Sequence, residues 1–190
     1  QGYALWSVEA AATTEVFSGS TNSGNLYKSF SENGNGWNLV GNPYPSALDW
    51  DAVSIPAELN GAFWVFDPAI GVNGDYRYYI NGGGAANTTN QYVASGQAFF
   101  VRATGGPGML SLENSDRVHN SKPFYKDAEK DLLVLKVTGN DVTTQTAVRF
   151  NEEATQQADR MYDVFKIVSD KPDIPNLFTK IGNEPMAINT

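Results

Sequence analysis

"GWNLVGNPYPSALDWD" (Gly36–Asp51) decides how the chain is read. An apolar run, Trp37-Asn38-Leu39-Val40, meets two prolines, Pro43 and Pro45, and then a short acidic segment carrying Trp50. Gly36–Gly41 reads as a strand. Each proline pushes the residue before it, Asn42 or Tyr44, into an extended conformation. Neither proline can donate to a ladder, so pairing must stop there. Ser46 stands three residues before Asp49, the spacing of a capping box with Asp in place of Glu. Pro45 and Trp50 take the staple positions, and Asp49 and Asp51 in a first turn would suit the helix dipole. The expected course is strand, rigid corner, then one or two helical turns ending before Ile55-Pro56, laid over one open end of a β core. Such a corner is a structural device rather than a catalytic loop.

On both sides of the corner the pattern is that of many short strands joined by turns. Gly2–Val8, Glu15–Phe17, Leu26–Phe30, Ala62–Phe66, Tyr76–Ile80, Gln97–Arg102 and Met109–Leu112 are rich in Val, Phe, Tyr and Trp. Between them lie "SGSTNSGN" (18–25), "ENGNG" (32–36), "VNGD" (72–75) and "NGGGAANTTN" (81–90), whose Asn-Gly pairs suit tight turns. The style changes at "HNSKPFYKDAEKD" (119–131), a polar, charged stretch that reads as a seam between domains. Beyond it, Leu132–Val137, Thr144–Phe150, Asp163–Val168, Leu177–Ile181 and Met186–Ile188 are further strands. "NEEATQQADRMY" (151–162) has too few apolar residues for a stable amphipathic helix. The expected fold is all-β. Residues 1–125 form a sandwich or jelly-roll-like module carrying the corner and its short helix, and residues 126–190 form a second, smaller sandwich. Five strands fall short of the usual seven or so, so this second unit is expected to be truncated, its open sheet edge covered by further chain or by another copy.

With 190 residues, 41% of them hydrophobic and 18% charged, the chain is expected to be globular. Acids outnumber Lys and Arg by 21 to 13, a net charge of −8, which argues against a nucleic-acid or anionic-membrane binder. The absence of cysteine excludes disulfides, zinc-thiolate and iron–sulfur sites and a cysteine nucleophile. No apolar run approaches the roughly 20 residues needed to span a bilayer as a helix, so no membrane insertion is expected. The opening Gln1 with no basic-then-apolar leader reads as a processed product or an excised piece.

The corner motif, together with "FWVFDP", "YRYYING", "YVASGQAFFVRA" and "LSLENSDRVHNSKPF", resembles a module of very large secreted or surface proteins of Bacteroidetes. That module lies just upstream of the C-terminal sorting region of type IX secretion substrates. "QGYALW" looks like its start, and "LLVLKVTGNDVTTQTAVRFNEEATQQADRMYDVFKI" resembles the β-rich segment that follows it. The resemblance implies an exported, extracellular part of a multidomain chain. It implies no activity, because such modules stand beside enzymes and adhesins alike.

Candidate chemistry is sparse. His119 is the single histidine and sits near Asp116, but no G-x-S-x-G elbow accompanies it. Asp49/Asp51, Asp67/Asp75 and Glu152/Glu153 could supply paired carboxylates for glycoside hydrolysis, on acid count alone. "DPAIGVNGD" (67–75) offers Asp67, Asn73 and Asp75 to calcium without the order or distal Glu of an EF-hand, so the most to be expected is a weak Ca2+ site. Four Trp, nine Tyr and ten Phe could stack sugar rings where exposed. Trp50, Trp64, Tyr76 and Tyr78 lie near predicted loop ends and are the candidate glycan-binding residues. Trp37, Phe99 and Phe100 are expected in the core. Alternation puts Tyr76 and Tyr78 on one sheet face and Tyr79 on the other, so at least one face is core. The expected function is a non-enzymatic extracellular structural or adhesive module of a larger secreted or cell-surface protein. The alternative is a carbohydrate-binding module attached to a secreted glycan-degrading enzyme, with surface glycans as partners.

Overall fold

The computed structural model describes residues 18–67, 75–80, 89–119, 132–152, 154–160 and 162–190. The strands expected at Gly2–Val8 and Glu15–Phe17, and most of the turns at 72–75 and 81–90, lie outside these residues. Within them the chain is all-β, with one 3-10 turn at Asn114–Asp116. The strands are β1 (Leu26–Phe30), β2 (Trp37–Gly41), β3 (Ala47–Asp49), β4 (Phe63–Asp67), β5 (Asp75–Tyr79), β6 (Tyr92–Val93), β7 (Ala98–Arg102), β8 (Gly108–Leu112) and β9 (Arg117–Val118). They continue with β10 (Leu132–Gly139), β11 (Val142–Arg149), β12 (Val164–Phe165), β13 (Thr179–Ile181) and β14 (Glu184–Asn189).

Four sheets result. β1 pairs with β8, and β3 lies between β6 and β9. The order β2-β7-β4-β5 makes a four-stranded antiparallel sheet, and β10-β11-β14-β12 makes a second large one, with β13 also paired to β14. β11 and β14 run parallel, with Ala147 opposite Ile188, whereas the other pairs are antiparallel.

The four-stranded sheet is apolar on both faces. One face gives Val40, Phe63, Val65, Tyr79, Phe99 and Val101 to a core closed by Phe30, Leu48, Val93, Leu110 and Leu112 from the two small sheets. The other gives Trp64, Tyr78 and the partly buried Trp37, Tyr76 and Phe100 to a second core, where they meet Ala147, Val164, Phe165, Met186 and Ile188. A strand buried on both sides shows no polar alternation, which is why "FWVF" and "AFFV" read as unbroken apolar runs. Tyr76 and Tyr78 do face away from Tyr79, and both faces are core. The second core draws on residues from either side of position 126.

The corner is built differently from the expected one. No helix follows it. Ala47–Asp49 is strand β3, with ladder partners on both sides: Leu48 lies opposite Val93 on β6 and Arg117 on β9. Two ladders satisfy more backbone groups than a single frayed turn, so the strand wins over the local helix signal. Only a tight turn remains, in which the Ala52 and Val53 amides donate to the Asp49 and Trp50 carbonyls. Ser46 is not a cap; its hydroxyl accepts from Arg117 Nε at 3.0 Å.

What fixes the corner is Asn42. Its Nδ2 donates to the carbonyls of Ser46, Val93 and Ala94 at 2.9–3.1 Å, its Oδ1 accepts the Tyr44 amide, and its own amide donates to Gln97 O. Tyr44 is buried, with its hydroxyl 2.6 Å from the carbonyls of both Gly24 and Leu112. Its hydroxyl is pushed up, chiefly by burial and then by the Asp116 carboxylate.

Candidate functional site

A cleft of about 560 Å3 opens between the turn preceding β2 and the segment leading into β12. Glu32, Gly36, Arg102, Asp159, Arg160 and Glu184 line it, with Phe165 at one wall. Gly36 has φ +74°, and a Cβ there would collide with the Ala103 carbonyl oxygen, so only glycine lets the two backbones approach this closely.

Arg102 crosses from one large sheet to the other. Its Nε donates to Asn35 O at 3.0 Å and its Nη2 meets Glu184 Oε2 at 2.7 Å. Its guanidinium lies 3.8 Å from the Phe165 ring centroid and 5.6 Å from that of Trp37, two cation–π contacts. Arg160 reaches the opposite way. Its guanidinium donates to the carbonyls of Ile55, Pro56 and Leu59, holding the 55–59 loop. That loop returns the grip. Asn60 is fully buried, and its Nδ2 donates to the carbonyls of Arg160 and Asp163 while the Gly61 amide also donates to Arg160 O. The buried Asp163 carboxylate in turn accepts the amides of Asp159 and Thr190, each at 2.7 Å. Burial, foremost, pushes this carboxyl up, while the two amides hold it down. The result is a reciprocal clasp between residues 55–61 and 159–163 in which side chains satisfy backbone groups. This constellation can hold two segments together. It presents no nucleophile with a neighbouring base.

The residues singled out in the sequence lie elsewhere, and most are in the core. Trp50 is 2% exposed; its indole N–H donates to Gly61 O, and its ring packs edge-on against Phe63 and Phe99. Trp64 is 1% exposed and lies edge-on to Trp37, with its indole nitrogen lacking a hydrogen-bond partner among the described residues. Tyr78 is buried in the same core, and burial pushes its hydroxyl well up. These three rings offer no open face, which corrects their reading as a glycan platform: two-sided burial of β4 and β5 claims Trp64 and Tyr78, and the turn after β3 swings Trp50 inward. Tyr76 is half-buried between Phe66 and Phe100.

The acids are largely engaged in structure. Asp51 accepts the Tyr79 hydroxyl, Asp49 accepts the Asp51 amide, Asp67 pairs with Arg77, and Asp75 accepts the Tyr76 amide. Asp116 accepts the Glu113 amide, and no hydrogen bond joins it to the exposed His119. Glu152 is exposed in a turn, while Asn73 and Glu153 lie outside the described residues. Among the described residues, no group of three or more His, Asp or Glu side chains is placed to hold a metal ion.

Asn42, Asn60, Arg102, Arg160 and Asp163 carry the polar architecture, and sequence reasoning missed all five. Asn60-Gly61 carried a turn signal. The arginines gave none, since the partners of Arg102 lie 67 and 82 positions away in the chain and those of Arg160 lie 101 to 105 away.

The span 56–190 matches the profile of a family described as a domain of unknown function, DUF8693. The chain belongs to that family. No curated protein and no solved structure matches it. The family span begins within the loop that Arg160 grips, takes in the clasp apart from Ile55 and both large sheets except β2, and runs through position 126.

Proposed function

We propose that the chain is a non-enzymatic extracellular module, a rigid structural or adhesive spacer within a larger secreted or cell-surface protein. The supporting observation is the clasp: Arg160 and Asn60, buried or half-buried, spend their hydrogen bonds on each other's loops rather than on an open site. A spacer must carry load between its neighbours without a hinge. Polar side chains tying two packed sheets at their shared border serve that end. The extracellular setting rests on the resemblance of the corner and its flanking motifs to secreted Bacteroidetes modules. Among the described residues no helix is long and apolar enough to cross a membrane.

The test is a glycan array probed with the intact chain, alongside a broad hydrolase substrate screen. The spacer reading expects neither saturable binding nor turnover. Saturable glycan binding lost in Tyr76→Ala, the most open of the four aromatic candidates, would replace it with the carbohydrate-binding reading. Turnover lost in His119→Ala would replace it with an enzyme.

A further inference from the structure

We infer that β10 is a self-recognition edge, through which two copies of this chain pair antiparallel about a two-fold axis centred on Leu135. Three observations converge on it. First, β10 is paired with β11 alone, in unbroken register from Leu132 to Gly139, so its other edge carries no ladder partner among the described residues. The remaining edge strands are five residues or shorter, whereas β10 has eight.

Second, the edge is unguarded. Exposed edges are normally blunted by proline, bulges, charge or shortness. β10 has no proline and no bulge, and its one charged residue is Lys136. Leu133, Leu135 and Val137 share one face and are 49%, 44% and 39% exposed. Val134, on the opposite face, packs against the second core, so the strand is anchored in the fold while its outer side meets no ladder partner among the described residues.

Third, the stripe is self-complementary, as a two-fold interface requires. With Leu135 opposite its own copy, Leu133 lies opposite Val137 and Val134 opposite Lys136. Every exposed apolar side chain then meets another, and no like charges oppose each other. A register shifted to centre on Lys136 would set two ammonium groups face to face, which is destabilising across strands. Neither β10 nor β11 carries an acid, so the chain's net charge of −8 is not concentrated at this edge. Three side chains and one strand per copy make an interface below the standard size. The pairing is therefore weak in solution and effective where copies are held at high local concentration.

The test is sedimentation velocity of the full chain across a wide loading range. Wild type is expected to shift toward a dimer as concentration rises. Leu135→Lys and Leu135→Glu, both at an exposed position, are each expected to remain monomeric, because each sets like charges on the two-fold axis. Their equimolar mixture is expected to recover the dimer. A wild type that stays monomeric throughout, or variants that dimerise as wild type does, would overturn the proposal. So would single variants that stay monomeric while their mixture also fails to pair. Circular dichroism of both variants verifies that the fold is intact.

Discussion

At the residue scale the corner turns on one side chain. Asn42 serves three carbonyls and one amide from a site only 5% exposed. Removing it leaves several buried backbone groups without partners, each costing about 1–3 kcal/mol. Asn42→Ala is therefore expected to lose about 3 kcal/mol or more in urea unfolding, whereas Ser46→Ala, which forfeits one bond to a partly exposed arginine, should lose about 1 kcal/mol or less. Equal losses would refute this division of labour. Lys166 gives a second test, through pH. Its ammonium donates to Thr144 Oγ1 and Gln145 O, and burial pushes its pKa down while the Asp75 carboxylate partly opposes the shift. The folded state thus releases its proton before the unfolded chain does. Between the lowered folded value and the ordinary 10.5, the unfolded state binds more protons, so stability rises with pH across that window. The buried tyrosines, whose hydroxyls are pushed up, oppose this near pH 10, so the test is a difference: urea midpoints of wild type relative to Lys166→Met should climb across that window.

At the element scale, sequence periodicity located the strands well and the corner's sequel badly. Leu26–Phe30 falls where read, and the strands around Leu39, Phe63, Tyr78, Phe99 and Leu110 lie within a residue or two of their expected bounds. Local composition decides these, because β-branched and aromatic runs bounded by glycine have few other uses. β3, β6 and β9 were not legible. Each is two or three residues long and exists only because distant segments meet there. The capping pattern at Ser46 was a genuine local signal, overridden by ladders to residues about 45 and 70 positions away in sequence. The burial of Trp50, Trp64 and Tyr78 was hidden for a related reason: aromatic content is visible in sequence, but burial on a second face is not. The turn before β2 yields an element-scale prediction. Gly36→Ala meets both an unfavourable φ and the Ala103 carbonyl, so it should destabilise by about 2 kcal/mol or more. Gly34→Ala, with positive φ but open space around it, should cost clearly less. Thermal denaturation of the two variants side by side checks the ordering.

At the scale of the whole molecule, the central claim is that residues on both sides of position 126 form one structural unit, with the four-stranded sheet as its shared middle layer. Trp64 and Tyr78 are covered by Val164, Phe165 and Met186, and the clasp ties the border through Asn60 and Arg160. Arg160→Ala removes the donor to three carbonyls of the 55–59 loop and should lower the melting temperature of the whole chain, not of one part. Differential scanning calorimetry of the intact chain tests the claim most directly. The account predicts one transition whose calorimetric and van't Hoff enthalpies agree. Two resolved transitions, with Arg160→Ala shifting only one of them, would contradict it.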